Sequence, residues 1–280
     1  MEKKIVKSLG ITILILICMT AGIVLSFATY GRAETSEQIM QQIEKLKDSN
    51  KEIRHQTFQT LVGFGKSAVP TLLTQLEKER LNEQGETVRA WVIHGITYAL
   101  GGIGDKSAVP SLTKLLNDRD GNVIMYAAEA LCMFEDEAII SDLLKIMMQE
   151  GNIIEEFQAK KETLTEEDMI KMSPHFLTGS SIAMGISNSG ERMVPLLIKA
   201  LNNQDWEIRQ AAANNLQGIC QVDTACRRRV IEALITKLDD ENPKVKTAVK
   251  NSLSSITAQS LGDTKKEWQA WWEKNKEQFK

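Results

Sequence analysis

Lys66-Ser67-Ala68-Val69-Pro70 and Lys106-Ser107-Ala108-Val109-Pro110 are the same pentapeptide, and Arg192-Met193-Val194-Pro195 is a looser third copy. Each opens an apolar run with helical spacing: Leu72, Leu73 and Leu76 after the first, Leu112, Leu115 and Leu116 after the second, Leu196, Leu197 and Leu201 after the third. A proline is tolerated in the first helical turn because the N–H it lacks has no intrahelical partner there, and Ser67 and Ser107 stand where an N-cap belongs. The pentapeptide therefore predicts a helix start, and its recurrence predicts stacked units.

A second signal lies between the pentapeptides. A β-branched residue followed by a basic one recurs at Ile53-Arg54, Val88-Arg89, Ile208-Arg209 and Val245-Lys246, with Val123-Ile124 as an imperfect copy. Five residues earlier stands Asp48, Glu83, Asp118, Asn203 or Asp240, and eight later Leu61, Ile96, Leu131, Leu216 or Leu253. The first and last of these offsets share one helical face, so one unit is two helices and a short turn.

This pattern resembles the HEAT repeat, in particular the shorter bacterial variety related to phycobilisome-lyase HEAT-like repeats. Ala127-Ala128-Leu131 and Ala212-Ala213-Leu216 match its second helix best. The resemblance implies an all-α fold, a right-handed α-solenoid of about six helical pairs over residues 34–257. The expected pairs are 36–47 with 51–64, 67–79 with 84–103, 106–117 with 121–134, 137–149 with 175–187, 190–202 with 205–220 and 225–238 with 242–257. Residues 150–174 interrupt the fourth. Within that insertion Thr165-x-x-Asp168 predicts one short capped helix, and Pro174 the return to the array. The resemblance also implies a structural ladder between neighbouring repeats, drawn from Asp48, Glu83, Asp118 and Asp240 with Arg54, Arg89, Arg209 and Lys246. Ile124 and Asn203 depart from it, so the ladder is expected to break there. Over 258–280, Thr264 predicts the cap of a final helix whose Trp268, Trp271 and Trp272 share one face. We read it as the C-terminal cap of the stack.

The N-terminus reads as an export segment. Lys3, Lys4 and Lys7 precede an uncharged run from Ile11 to Ala28, with small residues at Gly31 and Ala33. Residues 1–33 are thus a signal peptide cleaved after Ala33 or a retained signal anchor. Either places the rest outside the cytoplasm, in a periplasmic or other extracytoplasmic space, with or without tethering to the inner membrane. The chain carries a net charge of −3, and its lysine-rich end is the part that cleavage removes, so nucleic acid is not an expected partner. Cys220 and Cys226 flank a predicted turn and could bridge in an oxidising compartment; alternatively they and Cys132 are small core residues.

Catalytic spacings are missing. The histidines are His55, His94 and His175 alone, with no His-x-x-x-His, Cys-x-x-Cys, Gly-x-Ser-x-Gly or phosphate-cradling loop, so neither metal nor cofactor is expected and no residue is assigned a catalytic role. Deoxyhypusine hydroxylase, a di-iron HEAT-repeat family, uses His-Glu pairs that do not occur here. What remains is surface. At about 100° per residue, offsets +2, +6 and +9 of each second helix lie opposite its apolar stripe. They read His55, Gln59, His94, Thr97, Glu129, Gln210, Asn214, Gln217, Thr247, Asn251 and Ser254. In the HEAT family the second helices line the concave side, so these are the candidate partner-binding residues; Arg227-Arg228-Arg229 with Lys244, Lys246 and Lys250 is a further candidate patch. The expectation is a non-enzymatic scaffold or adaptor of the cell envelope that binds a protein, the alternative a lyase or maturation-factor subunit like the phycobilisome-lyase relatives.

Overall fold

The computed structural model describes residues 36–80, 86–159, 164–222, 224–262 and 264–279. The export segment at 1–33 and Glu83 lie outside the described residues. Among the described residues there is no strand. The helices are α1 (36–45), α2 (Lys51–Gly63), α3 (Val69–Arg80), α4 (Glu86–Ile103), α5 (Val109–Lys114), α6 (Gly121–Cys132), α7 (Glu137–Ala159), α8 (Glu166–Asn188), α9 (Val194–Ala200), α10 (Trp206–Val222), α11 (Arg227–Thr236), α12 (Pro243–Thr257) and α13 (Lys265–Asn275). They form six successive pairs closed by a single helix, an α-solenoid. Second helices stack on one another, α2 on α4, α4 on α6, α6 on α8 and α10 on α12. One apolar core runs unbroken from Ile39 in α1 to Trp272 in α13, because each helix has one apolar face that only its neighbours can cover.

The pentapeptide begins each first helix in a way that differs from the prediction. Lys66 to Ala68 and Lys106 to Ala108 form 3₁₀ turns, and the α-helices start at Val69 and Val109 with the proline just inside. Ser67 and Ser107 are therefore not N-caps. Ser67 Oγ donates back to the Phe64 carbonyl at 2.9 Å, and the Ser107 amide donates to Asp105 Oδ1 at 3.0 Å. The chain reverses at glycines with positive φ, Gly65 (62°) opening the first turn, Gly104 (69°) just before the second and Gly190 (65°) opening the matching turn Gly190–Met193, a conformation that residues other than glycine resist.

Second helices begin on two linked side-chain turns. Asp48, Asp118, Asn203 and Asp240 each accept the amide two residues on through Oδ1, at 2.7, 3.0, 2.9 and 3.0 Å. The residues that receive this help, Asn50, Asp120, Asp205 and Asn242, then accept the amides of Glu52, Asn122, Glu207 and Lys244. An orphan N–H of the first helical turn is thereby satisfied.

The insertion at 150–174 is a lengthening of both helices in the fourth pair, with a short connection between them. α7 and α8 are 23 residues each. Thr165 and Asp168 do form a reciprocal cap, but it starts α8 itself rather than a separate short helix. Pro174 lies inside α8, not at a break. It forfeits one backbone hydrogen bond on an exposed stretch, where Ile170 and Pro174 face solvent and water can take the released carbonyl. The longer α7 changes the stacking: of the two helices in the fourth pair, α10 packs more against α7 than against α8.

At the end of the chain Trp268 and Trp272 are buried in the core, and the Trp268 indole donates to the Gly262 carbonyl at 3.1 Å. Trp271 is half-buried and meets Phe279 edge-on. Thr264 and Glu267 cap α13 reciprocally.

Candidate functional site

The basic residues of the repeat do two jobs at once. Arg209 closes its own turn by donating to the carbonyls of Asn203 and Gln204, and Arg89 does so to the carbonyls of Glu79 and Arg80. Each also reaches the next unit: Arg89 pairs with Asp118 and Arg209 with Asp240, all four side chains being buried. Arg54 keeps the first job, to Asp48 and Ser49, and its guanidinium lies 4.2 Å from the Trp91 ring centroid. Asp48 lies in the first turn of the described residues, and Lys246, on the second helix of the sixth pair, is exposed. Ile124 and Asn203 leave the joints into and out of the fourth pair without this rung. At the joint out of it Asn152 of α7 donates to Glu207 at 2.8 Å, and Glu155 reaches past the fifth pair to Lys244 of the sixth at 3.3 Å.

The predicted surface row divides into two. Gln210 and Asn214 of α10 stand beside Thr247 and Asn251 of α12 at the same two offsets, lining a groove of ≈ 380 Å³. The overlong α7 brings Glu155 to its rim, opposite Lys244, whose ammonium also sits 5.4 Å from the Trp206 ring centroid. Gln210 lines the groove with part of its side chain, while its Oε1 is buried with no hydrogen-bond partner among the described residues. Asn214, Thr247 and Asn251 are exposed, while Gln217 and Ser254 are half-buried and lie outside the groove's lining, with Ser252 Oγ donating to Gln217 Oε1 at 3.4 Å.

In the first half of the array the row is spent on packing. Thr97 is wholly buried and donates to the His94 carbonyl, so it cannot meet a partner. α4 is flanked by second helices on both sides, α2 and α6, so a position opposite its apolar stripe is covered by them. His94 is stacked on Tyr126, centroids 3.9 Å and planes 8° apart, and meets Phe58 edge-on at 4.8 Å. Burial, with the nearby Arg54 and His55, lowers its pKa to about 4. Glu129 is half-buried, its carboxyl raised by that burial. His55 and Gln59 are exposed, and Gln59 donates to the Tyr98 hydroxyl at 2.9 Å. Trp91, Tyr126, Arg119 and Leu177 line a second cleft of ≈ 660 Å³ where the lengthened α8 rises beside the third pair.

The basic patch is not a free one. Arg227 donates to the Cys220 carbonyl, Arg228 lies near Glu232 and Glu277, and Arg229 pairs with Glu191. His175 Nδ1 meets Glu150 Oε2 at 2.6 Å across the α7–α8 pair. Among the described residues no three metal-ligating side chains converge, and no helix is long and apolar enough to cross a membrane.

Sequence reasoning missed Glu155 and the second residue of each linked turn, Asn50, Asp120, Asp205 and Asn242. The latter were visible as an acid or amide two positions beyond the first; nothing in the sequence indicated where α7 would lie.

Residues 194–265 match the family profile described as HEAT repeats, and residues 92–118 the PBS lyase HEAT-like repeat. No curated protein matches the chain. Among solved structures it is similar to the CpcE–CpcF complex of phycocyanin lyase from Nostoc sp. PCC7120, at 19% identity over 76% of this chain and 96% of that one, TM-score 0.30. Human deoxyhypusine hydroxylase in complex with glycerol is similar at 17% identity over 82% and 99%, TM-score 0.31. An engineered protein is similar at 18% identity over 79% and 97%, TM-score 0.28. With the family matches in both halves and the paired helices between them, the chain is a HEAT-repeat protein.

Proposed function

We propose that the protein is a non-enzymatic scaffold of the cell envelope that binds a protein partner in the groove over α10 and α12. The observation that carries this is the row of uncharged polar side chains, Gln210, Asn214, Thr247 and Asn251, that lines the groove from two neighbouring helices. Side-chain amides both donate and accept, so such a row can pair with the N–H and C=O groups of an extended segment, which carry no internal hydrogen bonds. The ionisable groups at the rim, Glu155 and Lys244, are paired with each other, which suits recognition better than proton transfer. The export segment supports placement in the envelope.

Crosslinking in intact cells, followed by purification through a C-terminal tag, tests the reading. Photocrosslinker at Asn214 or Asn251 should trap one defined protein that the same probe at exposed Lys66 does not. Equal background from all three positions rejects the groove. Visible absorbance of the purified protein would favour instead the chromophore-handling role suggested by the match to the PBS lyase HEAT-like repeat.

A further inference from the structure

We infer that Cys220 and Cys226 form a modification site, a thiol pair that closes to an intramolecular disulfide in an oxidising environment. Their sulfurs lie 3.0 Å apart and both residues are buried. Cys220 is near the end of α10 and Cys226 is the N-cap residue of α11. Arg227 Nε donates to the Cys220 carbonyl at 3.0 Å, which holds the two ends of the turn together independently of the sulfurs. Closing the bond asks the sulfurs to approach by about 1 Å, to the roughly 2.05 Å of a disulfide.

Closure needs an oxidant, here a disulfide such as oxidised glutathione or an oxidoreductase's disulfide. One cysteine thiolate attacks a sulfur of that disulfide and expels a thiolate, giving a mixed disulfide. The second thiolate then attacks the protein sulfur and expels the other half. Two protein thiols lose two protons and two electrons, and one oxidant disulfide becomes two thiols. Because both sulfurs are buried, the oxidant meets them before the turn docks or while it is open. Cys132 is the internal control: it is equally buried and its thiol, pushed up to about 12 by that burial, has Ser189 beside it rather than a second cysteine.

The turn that would be locked joins α10 to α11, hence the fifth pair to the sixth, whose second helices are the two walls of the groove. The inference itself rests on the sulfur geometry and stands whether or not the groove binds a protein.

The full-length protein is unfolded in reductant, refolded in a glutathione redox buffer, then denatured and treated with iodoacetamide without reductant. Trypsin releases both cysteines in one peptide, residues 210–227. That peptide should appear unlabelled and two hydrogens lighter than its reduced form, and become doubly labelled after reduction, while Cys132 is labelled throughout. Reductant should lower Tm by roughly 5 °C, as expected for a short closed loop in a chain of this size, and leave Tm of Cys226→Ser unchanged. Double labelling after oxidation, stable glutathione adducts, or a bond from Cys220 to any other cysteine overturns the inference. Labelling of the wild-type chain decides between these outcomes even where the variant does not fold.

Discussion

Arg209 grips Asp240 with two nitrogens, Nε to Oδ2 and Nη2 to Oδ1, both at 2.8 Å, and so ties the fifth pair to the sixth. Removing the carboxylate leaves a buried guanidinium without its counter-charge, so Asp240→Ala should cost about 3 kcal/mol in urea unfolding. With Asp240 intact, Arg209→Lys should forfeit much of the same stabilisation, since an ammonium cannot make the planar fork. Burial by itself would raise the Asp240 carboxyl, but the Arg209 hydrogen bonds and the Asn242 amide outweigh it and hold the pKa below the ordinary carboxylate value. A depressed folded pKa gives stability that is present above the unfolded value and lost as pH falls through the folded one. The acid limb of the stability curve should therefore flatten in Asp240→Asn.

His94 gives the same sign through another cause. Its pKa of about 4 lies below the ordinary 6.5, so between those values the unfolded chain binds a proton that the folded chain refuses. Stability should rise with pH across that window, by about 3 kcal/mol at most. His94→Phe, which keeps a ring over Tyr126, should remove this slope from a series of urea midpoints; an unchanged slope would assign it elsewhere.

Ala258 ends α12 in the left-handed region, with φ 57° and ψ 28°. Gly65, Gly104 and Gly190 serve the same reversal elsewhere in the array without a Cβ. Ala258→Gly should stabilise the protein by about 1 kcal/mol, and Gly104→Ala should cost a similar amount, both read from thermal unfolding.

The groove and the fold should separate by mutation. Asn214 and Asn251 are exposed and outside the core, so the double change Asn214→Leu with Asn251→Leu should shift stability by no more than about 1 kcal/mol. With the photocrosslinker moved to the exposed Thr247 of the same groove, capture of the partner should be lost. Retained capture would place recognition on another surface, such as the cleft between Trp91 and Tyr126.

Much of the array was legible because its signals are local and repeated. Val109-Pro110, Asp118 and Ala127-Ala128 each constrain a few neighbouring residues, and their recurrence fixes the phase. What misled was context. Ser107 has the chemistry of an N-cap but sits one 3₁₀ turn too early. Thr97 lies at a polar-looking offset but is sealed by helices on either side, and Pro174 is a helix breaker in isolation yet lies in a helix whose two halves are held by packing. The groove was half legible: Gln210, Asn214, Thr247 and Asn251 follow from helical spacing, whereas Glu155 reaches them from a helix whose direction depends on the whole fourth pair.

The two joints that lack a guanidinium–carboxylate rung flank the pair with the overlong helices, and in one of them α7 replaces part of the contact between α8 and α10. Pulled from its ends in an optical trap, such a molecule should extend in two stages, the seam between the fourth and fifth pairs parting at lower force than the clamped portions. Elastic compliance is thereby gathered around the fourth pair, and the Glu155–Lys244 contact, which reaches from α7 past the fifth pair to the sixth, is a strut whose loss would soften that region further.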